Sequence, residues 1–182
     1  HAVPFKDSLL LFSDLTQFKM TADDLLTPDT VSVNVSAQFE ASLTAKPVSA
    51  GRYVFFGVDK GKWSGIREYF VDQATETDDA QEITSHVPEY LLGDIKTLTA
   101  STNEDMLLAI TVDDPNTIYA YSYYWKGQEK LQSSWSKWKF TGNVLACAFN
   151  KSNIDVLIRY TDSGGSHSVC LERINLSTDE AE

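Results

Sequence analysis

Histidines, cysteines and paired acids are the groups through which this sequence could do chemistry, and their spacing decides what each can do. His1, His86 and His167 stand in unrelated contexts, with no close set of acids or cysteines around them of the kind a zinc site uses. The segment "TDSGGSHS" brings Asp162, His167 and serines together within eight residues. A nucleophilic triad draws its members from separate elements around an oriented nucleophile, whereas the Gly164–Gly165 pair reads as a hairpin turn. Asp23–Asp24, Asp78–Asp79 and Asp113–Asp114 are adjacent loop acids, expected to be solvated; a glycosidase pair must converge across a cleft. Cys147 and Cys170 lack CxxC spacing and have apolar neighbours, so buried free thiols are expected, a single disulfide being the alternative. No phosphate-cradling glycine loop and no S-x-D-x-G-x-x-W turn occurs. The residues therefore nominate no catalytic group, no metal ligand and no cofactor site.

Aromatic residues carry the remaining binding chemistry. "YAYSYYW", residues 119–125, could stack on sugar rings or bases if it were exposed. Alternation places Tyr119, Tyr121 and Tyr123 on one face, as in a covered strand, and leaves Trp125 as the aromatic expected to be exposed for interaction. Asn34, Asn150 and Asn175 open N-x-S triplets, which matter only in a eukaryotic secretory setting. In "QSSWSKWKF" two tryptophans stand three positions apart, so on a strand Trp135 and Trp138 point to opposite faces of the sheet.

Those side chains must be positioned by strands. Four segments share a layout of apolar run, Asp-containing turn and second strand, with the turn acids at Asp14, Asp59, Asp113 and Asp162. An Asp carboxylate suits such a turn because it accepts bonds from the backbone N–H groups that follow. Turns this short make each pair an antiparallel hairpin. The runs begin at Leu9, Tyr53, Met106 and Ile154, at spacings of 44, 53 and 48 residues, a period that points to propeller blades of about four strands. About three and a half repeats are counted, beginning in mid-blade, over residues 1–176; residues 177–182 read as a disordered or solvated tail.

Within the runs both parities are apolar. Val54, Phe56 and Val58 oppose Tyr53 and Phe55, and Met106, Leu108, Ile110 and Val112 oppose Leu107 and Ala109. A half-solvated sheet would alternate with polar residues, so both faces are expected to be covered by stacked antiparallel sheets. Trp138 and Phe140 would then pack toward one neighbouring blade and Trp135 toward the other, with Lys137 and Lys139 reaching the rim. The fourth run is weaker, since Asp155 and Arg159 share a face with Leu157. "VSVNVS" reads as an outer strand, "DIKTLTAS" and "NVLACAF" as innermost strands. "DDAQEITSHVP" is the one helical candidate, capped by Asp78 or Asp79, ended by Pro88, with His86 near its end.

The net charge of −11 opposes a surface that grips phosphates and suits one past which nucleic acid slides. The longest apolar runs, Leu9–Phe12 and Tyr53–Val58, are too short to span a bilayer as a helix, and no membrane anchoring is expected. A chain that begins at His1 is expected to be a fragment or a processed product.

In order along the chain, "HAVPF", "LLLFSDLTQFKMT", "LTPDTVSVNVSAQFEAS", "KPVSAGRYVFF", "EITSHVPEYL" and "QSSWSKWKF" resemble the tail nozzle family (tail tubular protein B) of short-tailed podoviruses. The resemblance runs from about His1 to Asn175 and implies an internal piece of that family's β-propeller region. It implies a non-enzymatic virion component of the phage tail, assembled in the host cytoplasm. The family forms a hexameric ring of copies below the tail adaptor protein, a conduit for genome ejection with a surface for tail fibre attachment, through which DNA passes without sequence-specific binding. A carbohydrate-binding or glycan-hydrolysing β-propeller is the alternative, prompted by Tyr119–Trp125 and the acidic loops; a generic β-sandwich scaffold accounts less well for the repeat spacing.

Overall fold

The structure is a computed structural model that describes residues 1–22, 27, 29–72, 77–126 and 129–177, and every regular element among them is a strand. Two compact units divide the chain, His1–Ile95 and Lys96–Glu182. In the first, strands β1 (Ala2–Phe5), β2 (Ser8–Phe12), β3 (Gln17–Thr21) and β4 (Ser32–Ala37) form sheet one, an antiparallel meander in chain order. Sheet two follows with β5 (Val48–Ala50), β6 (Tyr53–Lys60), β7 (Trp63–Val71) and β8 (Asp78–Glu82); β9 (Leu91–Leu92) adds onto β7.

The second unit repeats the plan. Sheet three contains β10 (Ile95–Ser101, which starts at the unit boundary), β11 (Met106–Thr111), β12 (Thr117–Lys126) and β13 (Glu129–Lys139). Sheet four contains β14 (Asn143–Asn150), β15 (Asn153–Thr161) and β16 (His167–Asn175). The four hairpins read from the sequence are β2–β3, β6–β7, β11–β12 and β15–β16, all antiparallel. The fold is all-β, built of stacked antiparallel meander sheets in the manner of a partial β-propeller.

Two-sided apolar runs act as predicted. Val54, Phe56 and Val58 meet Val3, Phe5, Leu10 and Phe12 in a core between sheets one and two, while Tyr53 and Phe55 are buried on the opposite parity. Leu108 and Ile110 join Val144, Ile154, Val156 and Ile158 between sheets three and four, and Leu107 and Ala109 are buried behind them. Each fully buried Leu, Ile or Phe contributes about 1.5–3 kcal/mol relative to exposure, so these two seams dominate stability. Val112, read as a fourth member of its row, lies past the end of β11 and is 52% exposed.

Turn chemistry follows the expected pattern in three hairpins. Asp14, Asp59 and Asp162 accept from the backbone N–H groups of Leu15, Gly61 and Gly164, at 3.1, 2.8 and 2.9 Å. In the β11–β12 turn it is Asp114 that is engaged, accepting the Tyr119 hydroxyl at 2.8 Å. A second signature recurs in the preceding turn of every sheet: Lys6, Gly51, Asp105 and Lys151 all have φ between 47° and 62°. That left-handed conformation closes the short β1–β2, β5–β6, β10–β11 and β14–β15 connections, and three of its four occupants are not glycine.

Two expectations are corrected. The first hairpin is not the start of its sheet: "AVPF" is β1, an edge strand on which Pro4 is tolerated and from which Val3 and Phe5 enter the core. Nor is residues 78–88 a helix. Asp78–Glu82 is β8, registered so that Ala80 faces Tyr69 and Glu82 faces Arg67, and turns follow. Pairing with β7 supplies backbone bonds and buries Ala80 and Ile83, which outweighs a local capping signal. His86 therefore sits in a turn, without a helix dipole. Asp23–Asp24 and the tail residues 178–182 lie outside the described residues.

Candidate interaction surface

Sheet three explains the paired tryptophans. Ile118 faces Trp138 and Tyr121 faces Trp135 across β12–β13, so the two indoles leave the sheet on opposite sides. Trp138, with Phe140, packs half-buried on the core shared with sheet four. Trp135 leans on Tyr121 of its own sheet, ring centroids 5.0 Å apart. On that second face Tyr121 stacks on Tyr123 at 5.6 Å, and Lys137 lies 5.2 Å over the Tyr119 ring.

Tyr119, Tyr121 and Tyr123 are buried, the packing role the alternation predicts, so no sugar or base can stack on them. A bulge between Tyr124 and Trp125 ends the regular register near the hairpin tip. Trp125 is half-buried with Lys130 Nζ 4.9 Å over its ring, and the same ammonium reaches the Tyr121 hydroxyl at 3.3 Å. Beside it, Tyr124 is 51% exposed. The aromatic tip thus presents Tyr124 outward, with Trp125 held by a cation–π contact.

Reactive side chains elsewhere hold strands. His1 Nε2 lies 2.9 Å from the Leu43 carbonyl, and His167 Nδ1 lies 2.9 Å from the Thr161 hydroxyl. Asp162, the would-be triad acid, takes the Gly164 and Ser166 amides. Among the described residues no three His, Cys, Asp or Glu side chains gather as metal ligands. Cys147 is buried, which pushes its thiol up to about 12, and Cys170 is an exposed free thiol on β16 rather than the buried one expected.

The polar clusters are bridges. Burial raises the Glu82 carboxyl, but bonds from Lys60 and Thr84 outweigh it and hold the group below its usual range. Arg173 grips Asp155 through two bonds of 2.6 and 3.2 Å and, with Asn150, depresses that carboxyl. Sequence reasoning missed the tie between sheets one and two, in which Ser36 on β4 shares a 2.6 Å bond with the Tyr69 hydroxyl and donates to Asp78 at 2.7 Å. These partners lie 33 and 42 residues from Ser36, and no local pattern could have paired them.

Residues 1–182 match the family model described as bacteriophage nozzle protein. The tail tubular protein gp12 of Escherichia phage T7 is 35% identical over 162 residues, which cover 87% of this chain and 20% of that protein. The chain thus spans a fifth of the length of that curated relative.

Proposed function

The chain belongs to the bacteriophage nozzle protein family, a premise that makes it a component of the virion tail, and we propose that it is a stiff, non-enzymatic wall segment of the short tail. In this reading it forms part of a ring of copies below the tail adaptor, contributes to the conduit through which the genome leaves, and offers a surface to tail fibres. The observation that carries the reading is the family match along the whole chain. Three physical features support it. Its sheets stack in pairs across close-packed apolar seams, one and two in the first unit and three and four in the second, so strain at each seam is transmitted rather than absorbed. Asp162, His167 and Asp78 are engaged in turn and inter-strand bonds. Its charge of −11 gives DNA phosphates little reason to stay.

Residues 1–176 would act as successive blades of a larger propeller, and Trp125, with Tyr124 beside it, is the interaction aromatic at the tip. Purified tail fibre protein should bind the intact protein and lose affinity on Trp125→Ala. A peptide tag inserted at the exposed turn at Gly164–Gly165 should mark the tail of intact virions when labelled with antibody-bound gold. Particles that infect normally yet carry no gold would refute the tail assignment. Saturable glycan binding abolished by Trp125→Ala would move the function to the carbohydrate reading.

A further inference from the structure

Strand β4 is the outer strand of sheet one, and among the described residues no strand pairs with its free edge. Ser32, Val33, Asn34 and Val35 are all exposed, the two valines by 52% and 57%. The sequence over Ser32–Ser36, "SVNVS", reads the same in both directions about Asn34. An antiparallel strand of identical sequence, centred on that residue, would set Asn34 against its counterpart, Val33 against Val35 and Ser32 against Ser36. Every opposed pair is then like with like, and opposed side chains share a face. Ser36 has no opposite on β3, and this bulge bends the strand and confines the match to Ser32–Ser36.

We propose that β4 is a docking edge for a second copy of the protein, joined two-fold and antiparallel about Asn34. Three observations select that occupant. A two-fold contact needs a self-complementary surface, and the symmetric sequence supplies one, strand to strand. Charge permits it. The outer strands β8, with Asp78, Asp79 and Glu82, and β13, with Lys130, Lys137 and Lys139, would meet their own copies mostly as like charges, whereas β4 brings none. The register of sheet one also carries across. Leu11, Phe18 and Val35 form one apolar row over β2–β4, and Leu9, Met20 and Val33 form the next. With Val35 of one copy opposite Val33 of the other, the first row of each copy continues into the second row of its mate. Edge pairing over so short a stretch buries well under the ~1,200 Å² of a standard interface, so the pair is of the weak class. A two-fold pair does not by itself close a ring, which assigns it to protein not yet built into a tail, where it shields an edge open to wrong strands. The inference needs only this edge, and neither the ring nor the conduit, so its failure leaves that reading intact.

Disulfide trapping in the natural full-length protein tests it, with other reactive cysteines, including Cys170, replaced. Opposed residues of an antiparallel pair have Cα atoms about 4.5–5.5 Å apart, within disulfide reach. Val33 and its own counterpart would stand two residues out of line, about 8 Å apart and beyond that reach. Under mild oxidation Asn34→Cys should therefore form covalent dimers at least about 10-fold faster than Val33→Cys. Mixing Val33→Cys protein with Val35→Cys protein should restore the fast reaction. All three positions are exposed, so each variant should keep the fold. Adding Asn34→Lys to both members of that mixture should slow it again, because like charges then face each other. Equal rates for Asn34→Cys and Val33→Cys, or no covalent dimer from Asn34→Cys, would overturn the proposal.

Discussion

Tyr69→Phe isolates the tie between sheets one and two with a single oxygen. The ring itself, fully buried and edge-on to Phe5 at 5.5 Å, stays in place, so packing is conserved. What disappears is the 2.6 Å bond to Ser36. Ser36 keeps its 2.7 Å bond to Asp78, so it is not orphaned, and the loss at pH 8 should be about 1–1.5 kcal/mol. The pH dependence makes the test sharper. Burial pushes the Tyr69 hydroxyl well above its ordinary 10.0, the Ser36 bond pulls back, and the nearby Asp78 carboxylate adds to the rise. A hydroxyl raised in the folded state contributes stability that is complete below the unfolded value and is lost as pH climbs past it. Above pH 10 the unfolded chain releases this proton while the folded chain holds it, so the native protein loses about 1.4 kcal/mol per pH unit. Phenylalanine has no proton to release. The advantage of the native protein over Tyr69→Phe should therefore shrink to nothing near pH 11 and then reverse, with the other tyrosines cancelling because both proteins carry them. Urea unfolding of the pair from pH 8 to 11 measures this directly. A stability difference that stays constant across that range would refute the buried position of the hydroxyl, and a difference near zero at pH 8 would refute the tie.

Further substitutions probe the second unit. Gly142→Ala would place a methyl 2.7 Å from both the Arg159 carbonyl oxygen and Ile158 Cγ2, and the backbone atom cannot rotate away; the urea midpoint should fall by an amount equal to about 1–3 kcal/mol. Thr111 is fully buried with its hydroxyl unbonded among the described residues, so the near-isosteric Thr111→Val should raise stability by about 1 kcal/mol, and a measurable loss would show that the hydroxyl has a partner. Lys151, at φ 56°, closes the loop between Asn150 and Asn153; Lys151→Gly should leave the fold unchanged and stabilise it by about 0.5–1 kcal/mol in thermal unfolding.

Much of the architecture could be read in advance because its cause is local. Hairpin turns need Asp or Gly at fixed places, and strands covered on both faces need apolar residues at both parities, as Tyr53–Val58 and Met106–Ile110 have. The opposed tryptophans followed from the strand period alone. What escaped reading was decided by pairing over distance. Asp78–Glu82 carries a respectable helix start, yet the edge of β7 was available and the strand won. The strand at "AVPF" ahead of the first hairpin went unread, and Pro4 fits there because β1 is an edge. The aromatic tip was legible only in part: Trp125 was identified as the exposed ring, but the bulge before it and the position of Lys130 leave Tyr124 the more accessible neighbour. Positive φ at Lys6 and Lys151 had no marker, since lysine is not a residue type that favours it, whereas Asp105 is one that does.

The outer strands of the four sheets differ in a way that bears on assembly. An exposed strand edge invites pairing with another chain, and charged side chains, lysine above all, discourage it. β13 carries Lys130, Lys137 and Lys139; β8 carries Asp78, Asp79 and Glu82; β16 carries Glu172 and Arg173. β4, "SVNVSA", carries no charge and exposes two valines. If β4 faced water in the working protein, it would combine a bare edge with an apolar face, the pairing most prone to aggregation, while each of the other three outer strands carries charge. The same strand is also fixed at one end, where Ser36 is bonded to Tyr69 and Asp78. A surface that is both uncharged and held in position is suited to be covered by a matching sheet, which places the demand for a structural neighbour at sheet one rather than at the lysine-guarded strand of sheet three.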